Sequence, residues 1–330
     1  MNGIAYSIGS VTVYYSSLVI ALGAASCFCL TWSLYRANGG KATLLCLFLL
    51  LSTVLSVVLS RILHWDCHSE QYRSFLSAVT DSGTGDFVLS GVFIAVLVAY
   101  LIVPSQGLAD KPLLLDCAAP GLLVLILLIR LSSLFNTSCR GKMSVIRPAL
   151  QHLPFASRIS DAAGNTEYRF ATFFIEAILL AVLLAVILFF FSKLRLAPAK
   201  NGKSNSGSIW MMFILWYSAL EIVMDSTRYD SSFFRINGFV SVVQIFCGLM
   251  MLAVLIWYSI RAVKADGLKA YQWLIWLAWL VLLAGAGISE YLVQRHGNWY
   301  LSCYYLMSSC LGIMSWLTYR MYRHQCVRVY

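Results

Sequence analysis

The chain has 330 residues, 60% of them hydrophobic, a mean hydropathy of +0.77 and a formal net charge of +10. A soluble domain averages about 45–50% apolar, so a soluble fold is excluded, and several apolar runs are long enough to cross a bilayer. The basic excess does not imply nucleic acid, because most Lys and Arg flank apolar runs, where they set topology and meet anionic lipid.

The expected fold is therefore an all-α polytopic integral membrane protein. Nine spans are expected, at roughly 12–35, 42–63, 87–104, 113–135, 168–192, 208–225, 237–260, 270–293 and 299–321. Met1–Val11 lacks a basic n-region, so the first run is expected as a retained span leading into Arg36. The second carries Arg61 near its end, with His64 and His68 in the loop that follows. The third starts after Asp86 and carries Leu89 and Gly91. The fourth, LLLDCAAPGLLVLILLIRLSSLFN, opens with Asp116 and Pro120, holds Arg130 and closes at Asn136. Asp116 is expected to cap that same helix.

The stretch of about 30 residues from 136 to 168 is the one sizeable extramembrane piece and is expected to form a small head. The fifth span begins at Arg169 and carries Glu176, seven residues on and on the same helical face. Ala197–Ser208 (APAKNGKSNSGS) reads as a flexible basic loop. The sixth span ends with Glu221, Asp225 and Arg228 at helical spacing, so Asp225 and Arg228 can pair locally while Glu221 needs a cation from elsewhere. Near the junction of the last two spans, Glu290 has no evident partner. Trp and Tyr gather at span ends, as interfacial anchors do.

Positive charge follows the first, third, fifth, seventh and ninth spans. This puts the N-terminus outside and the C-terminus in the cytoplasm. The ten cysteines form no C-x-x-C, which removes a zinc or thioredoxin reading. Cys27, Cys29, Cys46, Cys117 and Cys247 lie in apolar runs and are expected as small core residues. Neither a metal nor a cofactor is called for.

Arg130 is too costly to leave in lipid. It faces other helices or a wet cavity, where its fork suits a phosphate or carboxylate, or else it snorkels from a helix end. Arg169 and Glu176 pair with groups on other helices, or are an interfacial arginine and a structural glutamate.

The pattern D-x-x-A-P at Asp116–Pro120, followed by R-x-x-x-x-F-N at Arg130–Asn136, resembles the bacterial prolipoprotein diacylglyceryl transferase family. The family's fourth helix ends G-R-x-G-N-F-x-N-G-E. Here the arginine is Arg130 and the second asparagine Asn136, while Ser133 and Ser138 stand at its first asparagine and its glutamate. Tyr14 and Tyr15 match an aromatic pair in its opening helix, and Arg61 the arginine ending its second. Placing Gly91 on the motif G-G-L-S-x-H-G-G puts Leu89 where the family has an essential histidine. Arg169 and Glu176 fit R-H-P-S-Q-L-Y-E-A. Tyr217, Asp225 and Arg228 fit Y-G-x-x-R-F-x-x-E-x-x-R, with Glu221 at its arginine. Gly238, Ser241 and Gln244 match the next helix.

The resemblance covers roughly residues 11–262. It implies a seven-helix core over 1–262, with its head at about 136–168, and two additional helices in a 263–330 segment that ends in a basic cytoplasmic tail. It implies a transferase of the bacterial cytoplasmic membrane that moves diacylglyceryl from phosphatidylglycerol to the lipobox cysteine of a prolipoprotein. The implied partners are phosphatidylglycerol or another anionic phospholipid and the prolipoprotein signal peptide. Candidate proton acceptors are Asp86, Glu176 and Asp225, since Leu89 cannot relay a proton. Candidate headgroup contacts are Tyr15, Arg61, Arg130, Asn136, Arg169 and Arg228. The missing histidine and the reversed charge at Glu221 equally fit a non-catalytic lipid- or lipoprotein-binding scaffold. A transporter or sensor is the third reading.

Overall fold

The N-terminal stretch pairs before any span begins. In the computed structural model, which describes residues 3–8, 11–67, 88–104, 110–136, 138–160, 166–196, 207–233, 238–297 and 300–327, β1 (Ile4–Ile8) and β2 (Val11–Tyr14) form an antiparallel hairpin. Its β-branched residues suit a strand. Asp86, His68 and most of the basic loop, 197–206, lie outside the described residues.

Ten helices follow. They are α1 (Tyr15–Ala37), α2 (Ala42–Cys67), α3 (Leu89–Ile102), α4 (Asp110–Ser132), the single-turn α5 (Pro148–Gln151), α6 (Thr172–Leu196), α7 (Ser208–Thr227), α8 (Val242–Asp266), α9 (Ala270–Arg295) and α10 (Tyr300–Val327). A short 3₁₀ turn, Ser133–Phe135, extends α4. Between α5 and α6 a second hairpin pairs β3 (Ala156–Ser160) with β4 (Thr166–Phe170).

The protein is an all-α polytopic membrane protein. Seven helices (α1, α2, α4, α6, α7, α8 and α9) have the length and apolarity to cross a bilayer. The nine expected spans each coincide with a helix, but two fall outside that set among the described residues. α3 has 14 residues, about 21 Å at 1.5 Å per residue, against a hydrocarbon core of about 30 Å. α10 is long but interrupted by Ser302, Ser308, Ser309, Ser315 and Thr318. Large apolar side chains such as Leu50, Leu274 and Leu301 point outward, as they do where lipid is the solvent.

The chain divides into two compact units. The smaller comprises Cys27–Gly121 with Ser206–Trp210. In it α3 lies against α2 so closely that a Cβ on Gly91 would sit 2.5 Å from the Ser60 backbone. A Cβ on Gly121 would come 2.3 Å from Thr31 Oγ1 on α1. Small residues at these crossings permit the dispersion contacts that hold helices together in lipid. Asp116 corrects the expectation for it. It does not cap its own helix, because that helix begins at Asp110 and places Asp116 in its second turn. Its carboxylate instead accepts from the backbone N–H groups of Gly207 at 2.7 Å and Trp210 at 3.0 Å, so it caps α7. His64 likewise belongs to α2, and is buried.

The larger unit comprises Met1–Ser26, Leu122–Asn205 and Met211–Tyr330. Here α10 packs on α9 and α8. Trp276 Nε1 donates to Ser259 Oγ at 2.9 Å and Trp279 Nε1 to Thr318 Oγ1 at 3.2 Å. The head is the β3–β4 hairpin with α5 beside it. Among the cysteines expected in the core, Cys27, Cys117 and Cys247 are buried, but Cys29 and Cys46 are exposed. An apolar run does not say which of its faces turns outward.

Candidate functional site

In the larger unit, four stretches carry buried charge to one place. α4 brings Arg130 near its C-terminal end, α6 brings Glu176 just past its first turn, and α7 brings Glu221 and Asp225, with Arg228 following it. The segment after α4 holds the end of α7 in position. Gly141 N donates to Phe170 O at 2.8 Å, Lys142 N to Thr227 O at 2.9 Å, and Tyr229 N to Arg140 O at 2.8 Å. This lays residues 140–142 between β4 and the turn that bears Arg228.

The contacts are ion pairs in a buried setting. Arg130 Nε lies 2.6 Å from Glu176 Oε1, and its Nη2 lies 2.7 Å from Glu221 Oε1. Arg228 Nη2 reaches Glu176 Oε2 and also lies 3.1 Å from Glu221 Oε1. Arg228 Nη1 is 3.5 Å from Asp225 Oδ1. All five side chains are buried, Glu176 completely at 0% exposure. Each guanidinium thus bridges two glutamates from different helices, the geometry that makes such pairs directional. Asp225 is held from its other side by the Ser241 hydroxyl. Ser241 also caps α8 in a reciprocal box with Gln244, at 3.0 and 2.9 Å.

Cys139 sits at the edge of this cluster, 3.7 Å from Arg130 Nη1. Its φ of 54° is in the left-handed region, which a side chain favours only when its surroundings fix it. Here they do. Its N–H donates to Asp230 at 2.8 Å, and its carbonyl accepts from Thr172 Oγ1 at 2.6 Å and Phe173 N at 3.2 Å.

The structure therefore joins Arg130, Glu176, Asp225 and Arg228, and leaves the other candidates elsewhere. Arg169 is on β4, before α6 begins at Thr172, so it does not share a helical face with Glu176 as the spacing suggested. The backbone stays extended through Phe170 because it pairs with β3. Arg169 binds Glu167 at 3.1 Å and stacks 4.4 Å from the Tyr229 ring. Asn136 folds its own turn, accepting from Ser138 N at 3.0 Å and Ser138 Oγ at 2.5 Å. Tyr15 opens α1 with its ring 5.5 Å from Phe135. Arg61 is buried in the smaller unit. Leu89 begins α3.

Four features go beyond the sequence reading. Glu221 stands at the centre of the cluster, and the cations it needs from elsewhere are Arg130 and Arg228. Arg140 is buried, stacks over Phe173 at 4.6 Å and donates to Asn136 O at 2.8 Å. Glu290 has a partner on α7, the Ser226 hydroxyl. Ser133 and Ser138, the two serines at altered motif positions, lie 3.2 Å apart and bond each other.

Comparison with known proteins bears on this arrangement. The profile of a family described as prolipoprotein diacylglyceryl transferase matches residues 3–260. A protein of Lactobacillus delbrueckii subsp. bulgaricus named phosphatidylglycerol–prolipoprotein diacylglyceryl transferase is 26% identical over 272 residues, covering 80% of this chain and 92% of its own length. A Bacillus licheniformis protein of the same name is 25% identical over 281 residues, covering 82% of this chain and 97% of its own. One from Lactobacillus johnsonii is 24% identical, covering 76% and 89%.

Proposed function

The chain belongs to the prolipoprotein diacylglyceryl transferase family, and from that premise we propose that it transfers diacylglyceryl from phosphatidylglycerol to the lipobox cysteine of prolipoproteins. It is a multi-pass bacterial membrane protein. The observation that carries the reading is the convergence of Arg130 and Arg228, both at positions of the family's motifs, in one buried cluster.

In the proposed reaction a cysteine thiolate attacks the glyceryl carbon of the lipid, the C–O bond breaks and glycerol phosphate leaves with the electron pair. Cations stabilise the departing phosphate. Arg228 Nε has no acceptor among the described residues, which leaves it a donor to offer. Tyr15, Arg61, Asn136 and Arg169 are proposed as further headgroup contacts, and Glu176, Asp225 and Asp86 as proton acceptors. Residues 1–262 form the catalytic unit and 263–330 an added helix pair.

A second reading has its own observation. Glu221 holds the two arginines that a phosphate would need, and Leu89 supplies no base, so a lipid- or lipoprotein-binding scaffold without catalysis is the alternative. The test is complementation of a strain depleted of its own transferase, with a purified assay of transfer from phosphatidylglycerol to a lipobox peptide. Rescue and transfer support the enzyme. Lipid binding with neither supports the scaffold.

A further inference from the structure

The charge count of the buried cluster does not close without a proton. Arg130 and Arg228 bring two positive charges, and Glu176, Glu221 and Asp225 bring three negative ones. Lys142, which also interacts with Asp225, interacts with Glu290 as well, so the two add one charge of each sign and leave the excess unchanged. All five cluster side chains are buried, where an uncompensated charge is strongly disfavoured. Of the six carboxylate oxygens, five face a guanidinium or the Ser241 hydroxyl. The sixth, Glu221 Oε2, receives no donor among the described residues. Glu176 and Glu221 are gripped by the same two guanidiniums, Arg130 and Arg228, which gathers their carboxyl groups into one small volume. Like charges gathered in one buried site disfavour full ionisation, so the excess negative charge favours a proton held by the pair.

We propose that Glu176 and Glu221 share one proton and that this carboxyl pair is the proton-transfer group of the site, in place of the histidine absent at Leu89. The proposal rests on the transferase reading. The groups facing the pair are Arg130 from α4, Tyr217 and Asp225 from α7, Arg228 beyond it, Cys247 from α8, and Cys139 from the segment after α4. None of these is a better acceptor, since the arginines are permanently charged and Asp225 is already engaged by Arg228 and Ser241. The transfer balances as a relay. The pair takes the proton of the attacking thiol, the S–C bond forms as the C–O bond breaks, and the proton already held passes to the departing phosphate oxygen. The cluster ends neutral, as it began.

Infrared spectroscopy of the full chain in phosphatidylglycerol nanodiscs at neutral pH tests the proton. A protonated-carboxyl band sensitive to H₂O/D₂O exchange is expected. It should vanish in Glu221→Gln and equally in Glu176→Gln, because two carboxylates then balance two guanidiniums, and persist in Glu221→Asp. In the lipobox-peptide assay, Glu221→Gln should lower kcat by about 100-fold or more with little change in KM for the lipid, and Glu221→Asp should restore part of it. A band that survives both glutamine variants overturns the proposal. So does an active wild type whose rate survives Glu221→Gln, and that result leaves the transferase reading standing. A wild type that transfers nothing overturns the transferase reading itself, and the catalytic role of the pair with it.

Discussion

Glu290 accepts a hydrogen bond of 2.5 Å from the hydroxyl of Ser226, the residue next to Asp225. Glu290 is on α9, beyond the 3–260 that the family profile matches. Its other oxygen accepts from Gln294 at 2.7 Å, and Gln294 accepts from Lys142 at 2.9 Å. Tyr304 of α10 donates to the Ser226 carbonyl at 3.3 Å. The added helix pair is thus tied to the end of α7 through buried polar contacts, which are expensive to break from one side.

Glu290→Ala should therefore cost about 1.5–3 kcal/mol, the worth of hydrogen bonds to a charged group, and Glu290→Gln distinctly less. Thermal unfolding in detergent measures this. An unchanged midpoint for the alanine variant would mean that α9 is not anchored through Glu290.

Arg130 bridges two glutamates, and its removal leaves Arg228 alone to hold both. Arg130→Leu should destabilise by about 3–5 kcal/mol, as expected when one partner of a buried ion network is deleted. Adding Glu221→Leu to that variant should recover much of the loss, because the stranded charge goes with it. A double-mutant cycle on unfolding free energies reads the coupling. Additive losses would contradict the geometry.

The head should respond to acid. The Ser144 hydroxyl, with Arg169 beside it, holds the Glu167 carboxyl below the ordinary glutamate range. A depressed folded value means that the ionised form stabilises the hairpin. That contribution is complete above the unfolded value, about 4.3, and is lost as pH falls through the lower folded one. Amide exchange in Thr166–Phe170 should quicken over that interval, and Glu167→Gln should exchange quickly at every pH. Exchange in the wild type that ignores pH there would refute it.

Orientation is tested independently. Reporter fusions in the 197–208 loop and at the C-terminus should both report cytoplasm if the bias of Lys and Arg sets the topology. Opposite locations for the two sites would sink the topology.

The helices were legible because hydrophobic run length is a strong signal, Asp225 and Arg228 because their three-residue spacing lets them pair locally, and Glu176 because a buried carboxylate in an apolar span needs a partner on another helix. The hairpins were not. The TVYY segment was absorbed into the first span, since β-branched and aromatic residues suit a strand and an apolar helix end alike. Arg169 was drawn into α6 for the same reason, as nothing local to TEYRF tells a strand from the start of a span. The need of Glu221 for a cation was legible, but its partner was not, because that partner is Arg130, 91 residues away. One sequence carries no trace of that distance.

The cap on α7 bears on how the protein is made. Gly207 and Trp210 place their N–H groups on a carboxylate that belongs to α4, and without it those donors would be stranded at the mouth of an apolar segment, where each unsatisfied group costs several kcal/mol. Translation delivers α4 before α7. The acceptor is thus already in the bilayer when α7 leaves the insertion machinery, and the order of synthesis supplies α7 with a docking point that its own sequence does not contain.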